Sequence, residues 1–137
     1  MWLRLIPLFD PGRKWTSYEL RQALQDGIGL QPFIWSSIFT LRAEDGVGCC
    51  SLLAPNESET NSVVFAFETG EVWAIDTWLL GAHPAELLAD AIEEMFNPRP
   101  PEYGRFLVHL SLEPPFQWIA GLTDVTASSN FLRHKDR

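Results

Sequence analysis

Asp76 is the carboxylate of this sequence that could carry acid–base chemistry. It ends the apolar run 72–75, and a carboxyl group beside an apolar face can have a raised pKa that suits it to proton transfer. The alternative is that Asp76 accepts backbone amides of the turn 77–79, as short polar side chains do where strands end. We favour this structural interpretation and keep Asp76 and its neighbour Trp78 as candidate binding residues.

The cysteines and histidines do not have the spacing of a metal site. Cys49 and Cys50 are consecutive on a predicted strand, so their side chains point to opposite faces and one ion cannot readily take both. His83, His109 and His134 lie in different predicted elements. We therefore predict two free thiols, as in a reducing compartment, and no metal ligands.

The motifs of nucleophilic and phosphate chemistry are missing from the sequence. No Gly-x-Ser-x-Gly segment frames a serine nucleophile. The glycines at positions 27 and 29 follow a predicted helix rather than a strand, and the rest of a dinucleotide-binding pattern is absent. The sequence therefore predicts no catalytic residue and no cofactor, and an enzyme with an unfamiliar site around Asp76 remains the alternative.

Two further segments could contact a partner. Trp118 ends the segment 114–118 (PPFQW), which could be an exposed polyproline recognition motif; the structural alternative is that it leads from a helix into a strand. Arg13 and Lys14 could touch phosphate, although the pair is short and isolated. We keep Trp118, Arg13 and Lys14 as candidate binding residues.

The charge of the chain restricts its partners. Its 137 residues contain 10 Lys and Arg against 18 Asp and Glu, a formal net charge of −8. Cations are what grip a phosphate backbone or an anionic membrane, so nucleic acid is disfavoured as a partner and a membrane is not expected. A protein partner, for example a basic one, fits better, and the oligomeric state is left open. No apolar stretch is long enough to span a bilayer or to serve as a signal peptide, so we expect a cytoplasmic protein.

One helix has clear signals at both ends. Thr16 and Glu19 have the spacing of a capping box, Trp15 and Leu20 that of a hydrophobic staple, and Gly27 provides a stop. We predict a helix over residues 17–26.

Two β-hairpins follow from similar turn chemistry. Residues 37–43 and 47–53 flank Glu-Asp-Gly, and residues 63–67 and 71–77 flank Glu-Thr-Gly. Such turns favour three-residue loops with the glycine, Gly46 or Gly70, in the left-handed conformation of a G1 bulge.

The bulged registers decide which side chains share a face. In the second hairpin Phe65 lies opposite Trp73, so the large apolar residues share one face and the small ones the other. In the first, Leu41 lies opposite Cys49. Because both faces of the second hairpin are apolar, we expect it to be central and covered on both sides.

The remaining elements complete an α+β domain over residues 1–122. We predict strands at 2–6 and 116–122, a helix at 84–97 stopped by the prolines at 98, 100 and 101, and a helix from Tyr103 to Leu110 that ends before Pro114-Pro115. Loops are expected at 27–32 and 54–61, and a polar, partly basic tail at 123–137. The expected architecture is an antiparallel sheet of two hairpins plus short flanking strands, with about three helices.

Four stretches resemble a known family: residues 1–7 (MWLRLIP), 41–46 (LRAEDG), 65–77 (FAFETGEVWAIDT) and 114–122 (PPFQWIAGL). They are similar to the region after the N-terminal domain in bacterial ATP-binding proteins of the Schlafen-like, AlbA-related type. The resemblance implies a non-catalytic accessory or regulatory region of a nucleotide- or nucleic-acid-linked bacterial protein. The nucleotide-binding domain of that family has no counterpart here, so the resemblance assigns no functional residue.

Overall fold

A computed structural model describes residues 1–26, 30–33, 37–52, 60–79 and 88–123 of the chain. Most of the predicted loop 54–61, part of the loop 27–32, the first residues of the predicted helix 84–97 and the tail after Thr123 lie outside the described residues. What is described has an α+β architecture with one antiparallel sheet, as the sequence predicts. None of the described helices has the length and apolarity needed to cross a membrane.

Six strands form the sheet in the order β2-β3-β4-β5-β1-β6. Every pair of neighbours is antiparallel, and the hairpin β4–β5 occupies the middle, as expected. The first strand inserts between β5 and the last strand, so both ends of the described chain meet at one side of the sheet. The strands are β1 Trp2–Pro7, β2 Ser37–Ala43, β3 Gly46–Leu52, β4 Thr60–Phe67, β5 Val72–Asp76 and β6 Phe116–Gly121.

The helices of the described residues are α1 Ser17–Gln25, α2 Leu88–Phe96 and α3 Arg99–His109. The predicted capping box begins α1: the Thr16 hydroxyl accepts the Glu19 amide (3.2 Å), and the Glu19 carboxylate accepts the Thr16 amide (2.8 Å). This exchange satisfies two amides that would otherwise lack partners at a helix start.

The proline-rich stretch after α2 begins a helix as well as ending one. Pro100 and Pro101 lie in the first turn of α3, where a residue without an N–H loses no helical hydrogen bond. Buried hydrogen bonds fix this turn in place, since Arg99 donates to the Phe33 carbonyl (3.3 Å). The helix therefore begins four residues before Tyr103, the predicted start.

The end of α3 is a Schellman motif, reached before Pro114-Pro115. The Leu112 amide donates to the Leu107 carbonyl (3.0 Å) and the Ser111 amide to the Val108 carbonyl (2.9 Å). Ser111 takes the left-handed conformation, φ +66°, which glycine usually supplies at this position. Leu107 and Leu112 are both buried, the apolar contact that accompanies such an ending.

The second hairpin has the predicted bulged register. Gly70 is left-handed, with φ +83°, the Phe67 amide donates to the Glu71 carbonyl (2.9 Å), and Phe65 lies opposite Trp73. Large residues of β4 and β5 consequently share one face of the sheet.

The prediction for the first hairpin is wrong by one residue. Leu41 lies opposite Gly48 rather than Cys49, and Gly46 does not have a positive φ. The loop contains two residues rather than three, because Gly46 pairs with Ala43 as part of β3 instead of forming the bulge. In that position Gly46 packs against β4, where an added Cβ would clash with the Ala66 carbonyl oxygen and lie 2.5 Å from the Phe65 ring.

The described helices cover only one face of the sheet. On that face the small residues Val64, Ala66, Val72 and Ala74 are buried beneath the apolar side chains of α1 and α3. On the opposite face Ile75 is 45% exposed. The expected cover on both sides of the central hairpin is thus not met within the described residues. We call the open side the outer face, which is formed chiefly by Trp2, Arg4, Phe65, Trp73, Ile75 and Ile119.

Gly12 and Gly70 are both left-handed, so substitutions at these two positions can distinguish the effect of backbone strain from that of crowding. A methyl group on Gly70 would lie 3.0 Å from Leu112 and 3.2 Å from Trp15, whereas one on Gly12, φ +67°, would meet nothing within 4 Å. We predict that Gly12→Ala lowers the free energy of unfolding by about 1 kcal/mol through strain alone. Gly70→Ala should cost about 2–3 kcal/mol because crowding adds to strain. Urea unfolding measures both, and equal costs would contradict the crowding.

Candidate functional site

The outer face contains a groove of about 400 Å³ where β5, β1 and β6 lie side by side. Its walls are mainly apolar, with Trp2, Trp73, Ile75 and Ile119 around the side chain of Arg4. Ile75 lies opposite Trp2, and Arg4 lies between Trp73 and Ile119, so three neighbouring strands supply one continuous lining. An apolar cavity with few polar groups is the common form of a binding site.

An ion pair holds Arg4 in place beside the groove. Its Nη2 and Nε lie 2.9 and 3.1 Å from one carboxylate oxygen of Glu71, and its guanidinium stacks 5.0 Å above the Trp73 ring. The Trp73 indole N–H donates to the same Glu71 oxygen (3.2 Å). These contacts orient the Trp73 ring and neutralise the charge of Arg4, which leaves a rigid and largely apolar surface.

Aromatic rings extend this surface toward the β4–β5 turn. The rings of Phe65 and Phe67 meet edge to face at 4.9 Å, and those of Phe67 and Trp73 at 6.3 Å. All three side chains are partly exposed. The outer face is therefore an ordered aromatic surface with the groove at one end.

Asp76 is buried on the helix-covered side of β5. It is 1% exposed, lies opposite Ser62, and its Oδ1 accepts the amide of Leu79 at 2.7 Å. Burial raises the pKa of Asp76, against the lowering by the Leu79 amide, the Met1 ammonium group, the Trp78 amide and the Ser62 hydroxyl. The carboxyl group thus closes the turn after β5, as the structural interpretation proposes.

Asp76 and the groove are separated by the strand itself. Residue 76 lines the end of the groove, but alternation along β5 places its side chain with Val72 and Ala74 on the covered face. With 1% exposure the carboxyl group does not meet solvent in the groove. Trp78 is half-buried in the turn that Asp76 caps. Among the candidate residues, Asp76 and Trp78 therefore lie together at this turn.

Trp118 lies on β6, on the side opposite the groove. It pairs with Leu5, is 54% exposed, and its ring lies 5.5 Å from Phe96 of α2. Pro114 and Pro115 immediately precede this strand, so the segment leads into a strand as the structural alternative holds.

Arg13 and Lys14 are occupied by acidic partners. Arg13 bonds Glu19 (2.6 Å) and stacks 4.8 Å from the Trp15 ring, while Lys14 bonds Glu68 (2.6 Å). The hydrogen bond with Glu68 raises the pKa of Lys14. The pair lies at the β4–β5 turn, the end of the hairpin away from Asp76, so these cations and Asp76 do not form one site.

The cysteines and His109 offer little further chemistry. Cys49 and Cys50 are free and point to opposite faces of β3, and burial raises the pKa of the Cys49 thiol, which makes it a poorer nucleophile. His109 meets Asp26 at 3.0 Å on the surface. Ser111 lines the same surface depression, but in the described residues no hydrogen bond joins it to His109, so a triad is not assembled. Within those residues no cluster of three metal-type ligands occurs.

Sequence reasoning did not identify the outer face as a site. The signal was present in the predicted register, which placed the large apolar residues of β4 and β5 on one side. The step that failed was the inference that two apolar faces are both covered. The helices bury the small residues of β4 and β5 and not the aromatic ones. The face with the aromatic residues is therefore the open one.

A scan against protein-family models, a search of curated proteins and a search of solved structures each find no match to this chain.

The pH dependence of stability tests the role of Asp76. Because its pKa is raised above the ordinary value of 3.8, the folded protein keeps a proton that the unfolded chain has lost. The resulting stability is full below pH 3.8 and is lost as pH rises through the raised pKa. Asp76→Asn keeps an acceptor for the Leu79 amide and cannot ionise. We predict that its free energy of unfolding, relative to wild type, rises between about pH 3.5 and about pH 7.

Urea unfolding of both proteins at the two pH values measures this difference. Asp76→Ala is the comparison, since it leaves the Leu79 amide without its acceptor and should cost about 1–3 kcal/mol at either pH. A relative stability of Asp76→Asn that falls with rising pH would show instead that the folded state favours the carboxylate.

Proposed function

We propose that this chain is a non-catalytic interaction module that binds a protein partner through its outer face. The observation that carries the proposal is the apolar groove framed by Trp2, Trp73, Ile75 and Ile119, on the side of the sheet that none of the described helices covers. Tryptophan is enriched among residues that dominate binding energy. The accessory or regulatory role in a bacterial nucleotide- or nucleic-acid-linked protein rests on the family resemblance alone.

The groove fits an apolar side chain presented by an extended segment. Its volume is about 400 Å³, which accommodates one or two large side chains. Arg4 is neutralised by Glu71, so nothing in the lining demands a charged anchor. A partner that inserts aliphatic or aromatic residues would bury the apolar lining of the groove, and removing apolar surface from water favours binding.

The charge of the chain favours a basic partner segment. The formal net charge is −8, and such a field accelerates encounter with cations and repels acids. Glu44, Asp45 and Glu68 come together at the turn end of the sheet, the end away from the groove, with the Glu68 amide bonded to the Asp45 carbonyl. We therefore infer an occupant with apolar anchors and flanking Lys or Arg.

The positions of the candidate residues argue against the alternatives. Asp76 is buried, and its carboxyl group accepts a hydrogen bond from the turn. A substrate could not reach it in this position, which argues against an enzyme that uses Asp76. Arg13 and Lys14 form ion pairs with Glu19 and Glu68, and a phosphate would have to displace these carboxylates to bind them. An interaction module uses neither feature.

Selection from a random peptide library displayed on phage tests the proposal. We expect selected peptides to combine aromatic or aliphatic residues with Lys or Arg and to bind the wild-type protein. Ile75→Lys should weaken that binding at least about tenfold, since it places a charge in the apolar groove. Because Ile75 is 45% exposed, the substitution should leave folding intact.

Val108→Lys is the matched control for this experiment. Val108 is 52% exposed on α3, so it makes the same change in charge on the helical side of the molecule. Calorimetry with a synthetic peptide should show unchanged affinity for this variant. Peptides that bind Ile75→Lys as well as wild type would overturn the outer face as the docking surface.

The ion pairs of Arg13 and Lys14 predict weak binding of nucleic acid. At about 0.15 M salt, where surface charges are screened beyond about 8 Å, we expect no submicromolar affinity for single- or double-stranded DNA in a polarisation assay. The same protein with ATP and magnesium should show no turnover. Submicromolar binding that is lost in Arg13→Ala/Lys14→Ala would instead support a nucleic-acid-binding accessory domain.

A further inference from the structure

One edge of the sheet is formed by β6, whose main chain is bonded to β1 alone among the described strands. Directly opposite residues of an antiparallel pair alternate between exchanging hydrogen bonds and exchanging none. Leu8 and Pro115 are a bonded pair, since the Leu8 amide donates to the Pro115 carbonyl (3.3 Å). Counting in steps of two, Gln117 and Ile119 bond to β1.

The intervening residues of β6 therefore direct their main-chain groups away from β1. Phe116, Trp118 and Ala120 present N–H and C=O groups at this edge. The alternation on β1 agrees: Met1 and Asp76 exchange both bonds on its other side, each at 2.8 Å, so odd-numbered residues of β1 bond to β5 and even-numbered ones to β6.

The side chains of β6 do nothing to block this edge. Natural edge strands are protected by charges, prolines, bulges or a covering element, whereas the sequence of β6 is FQWIAG, without a charge or a proline. Trp118 is 54% and Ile119 40% exposed. Such a strand is a template for pairing with another strand.

We propose that β6 is a dimerisation strand, which pairs antiparallel with β6 of a second copy of this chain. A two-fold axis through Trp118 would align Phe116 with Ala120 of the second copy, and Trp118 with its own counterpart. All three outward-facing residues then exchange main-chain bonds, which gives the fullest overlap of the strand with itself. The two six-stranded sheets become one continuous sheet.

Side-chain sizes support self-pairing in this register. The large Phe116 meets the small Ala120, and the two exposed Trp118 rings pack side by side on the helix-covered side, where aromatic pairs across strands are favourable. A two-fold contact requires a surface that complements itself. The strand meets that requirement from Phe116 to Ala120.

The negative charge of the chain opposes this contact. The acids Asp90, Glu93 and Glu94 belong to α2, and the Phe96 ring of that helix lies 5.5 Å from the Trp118 ring of β6. Like charges on two copies repel each other within the Debye length of about 8 Å at physiological salt. A single strand pair buries less than the roughly 1,200 Å² of a stable interface, so the dimer should be weak and depend on concentration.

Sedimentation equilibrium with charge-swapped variants tests the proposal. The mass of the wild-type protein should rise from 15.5 kDa toward twice that value between about 1 µM and about 1 mM. Trp118→Lys and Trp118→Glu should each remain monomeric, because like charges then face each other across the axis. Their equimolar mixture should regain the dimer, since Lys then faces Glu.

Val108→Lys, which carries the same new charge on α3, should dimerise like wild type. A wild-type protein that stays monomeric at the highest concentration, or a dimer that survives in Trp118→Lys, overturns the proposal. A mixture of the two Trp118 variants that stays monomeric overturns the axis at Trp118. Peptide binding at the outer face is read separately through Ile75, so either proposal can fail without the other.

Discussion

The alternation of small and large residues along the hairpin β4–β5 is the constraint on which the rest of the structure depends. Residues 64, 66, 72 and 74 are Val or Ala, and all are 1% exposed or less. Small side chains let the helices approach the sheet closely, so Tyr103, Phe106 and Leu107 of α3 are buried as well. The aromatic residues of the same strands are thereby committed to the other side. The core and the outer face are two consequences of one register.

That register is held from its two ends. At the turn, the left-handed Gly70 creates the bulge and fits beneath Trp15 and Leu112, so a larger residue would disturb both the hairpin and the core. At the other end, Asp76 caps the backbone with its buried carboxyl group. A shift of one residue would bring Trp73 and Ile75 under the helices and expose the small residues. Gly70, just before β5, and Asp76, at its end, therefore fix the register in which the apolar residues of this strand are placed.

The sequence predicted the structure correctly wherever a local pattern is compatible with a single conformation. The capping box at Thr16, the bulge at Gly70 and the α+β class with a central second hairpin were all predicted correctly. It failed at the first hairpin, where Glu-Asp-Gly admits both a bulged and a two-residue loop. Gly46 joins β3 and packs against β4, a contact with a strand that lies later in the chain and that local turn chemistry does not specify.

The groove was not among the candidates named from the sequence, for a related reason. Asp76, Arg13 and Lys14 stand out by chemical type, and they form a turn and two ion pairs. The groove is instead made from Trp2, Trp73 and other residues that a sequence would assign to a core. Whether an apolar residue is buried depends on which helices reach it, and that is settled by tertiary packing.

The position of β1 connects the two binding features that we propose. Because β1 inserts between β5 and β6, it contributes Trp2 and Arg4 to the outer face and leaves β6 as the edge. A copy of β6 added at that edge would continue the sheet beyond Ile119, whose side chain faces outward beside the groove. With the axis at Trp118, Ile119 would lie opposite Gln117 of the second copy on this same side. The two grooves would then face the same way, on either side of the paired β6 strands. A partner with two anchor segments could engage both grooves and gain from the higher effective concentration of the second site.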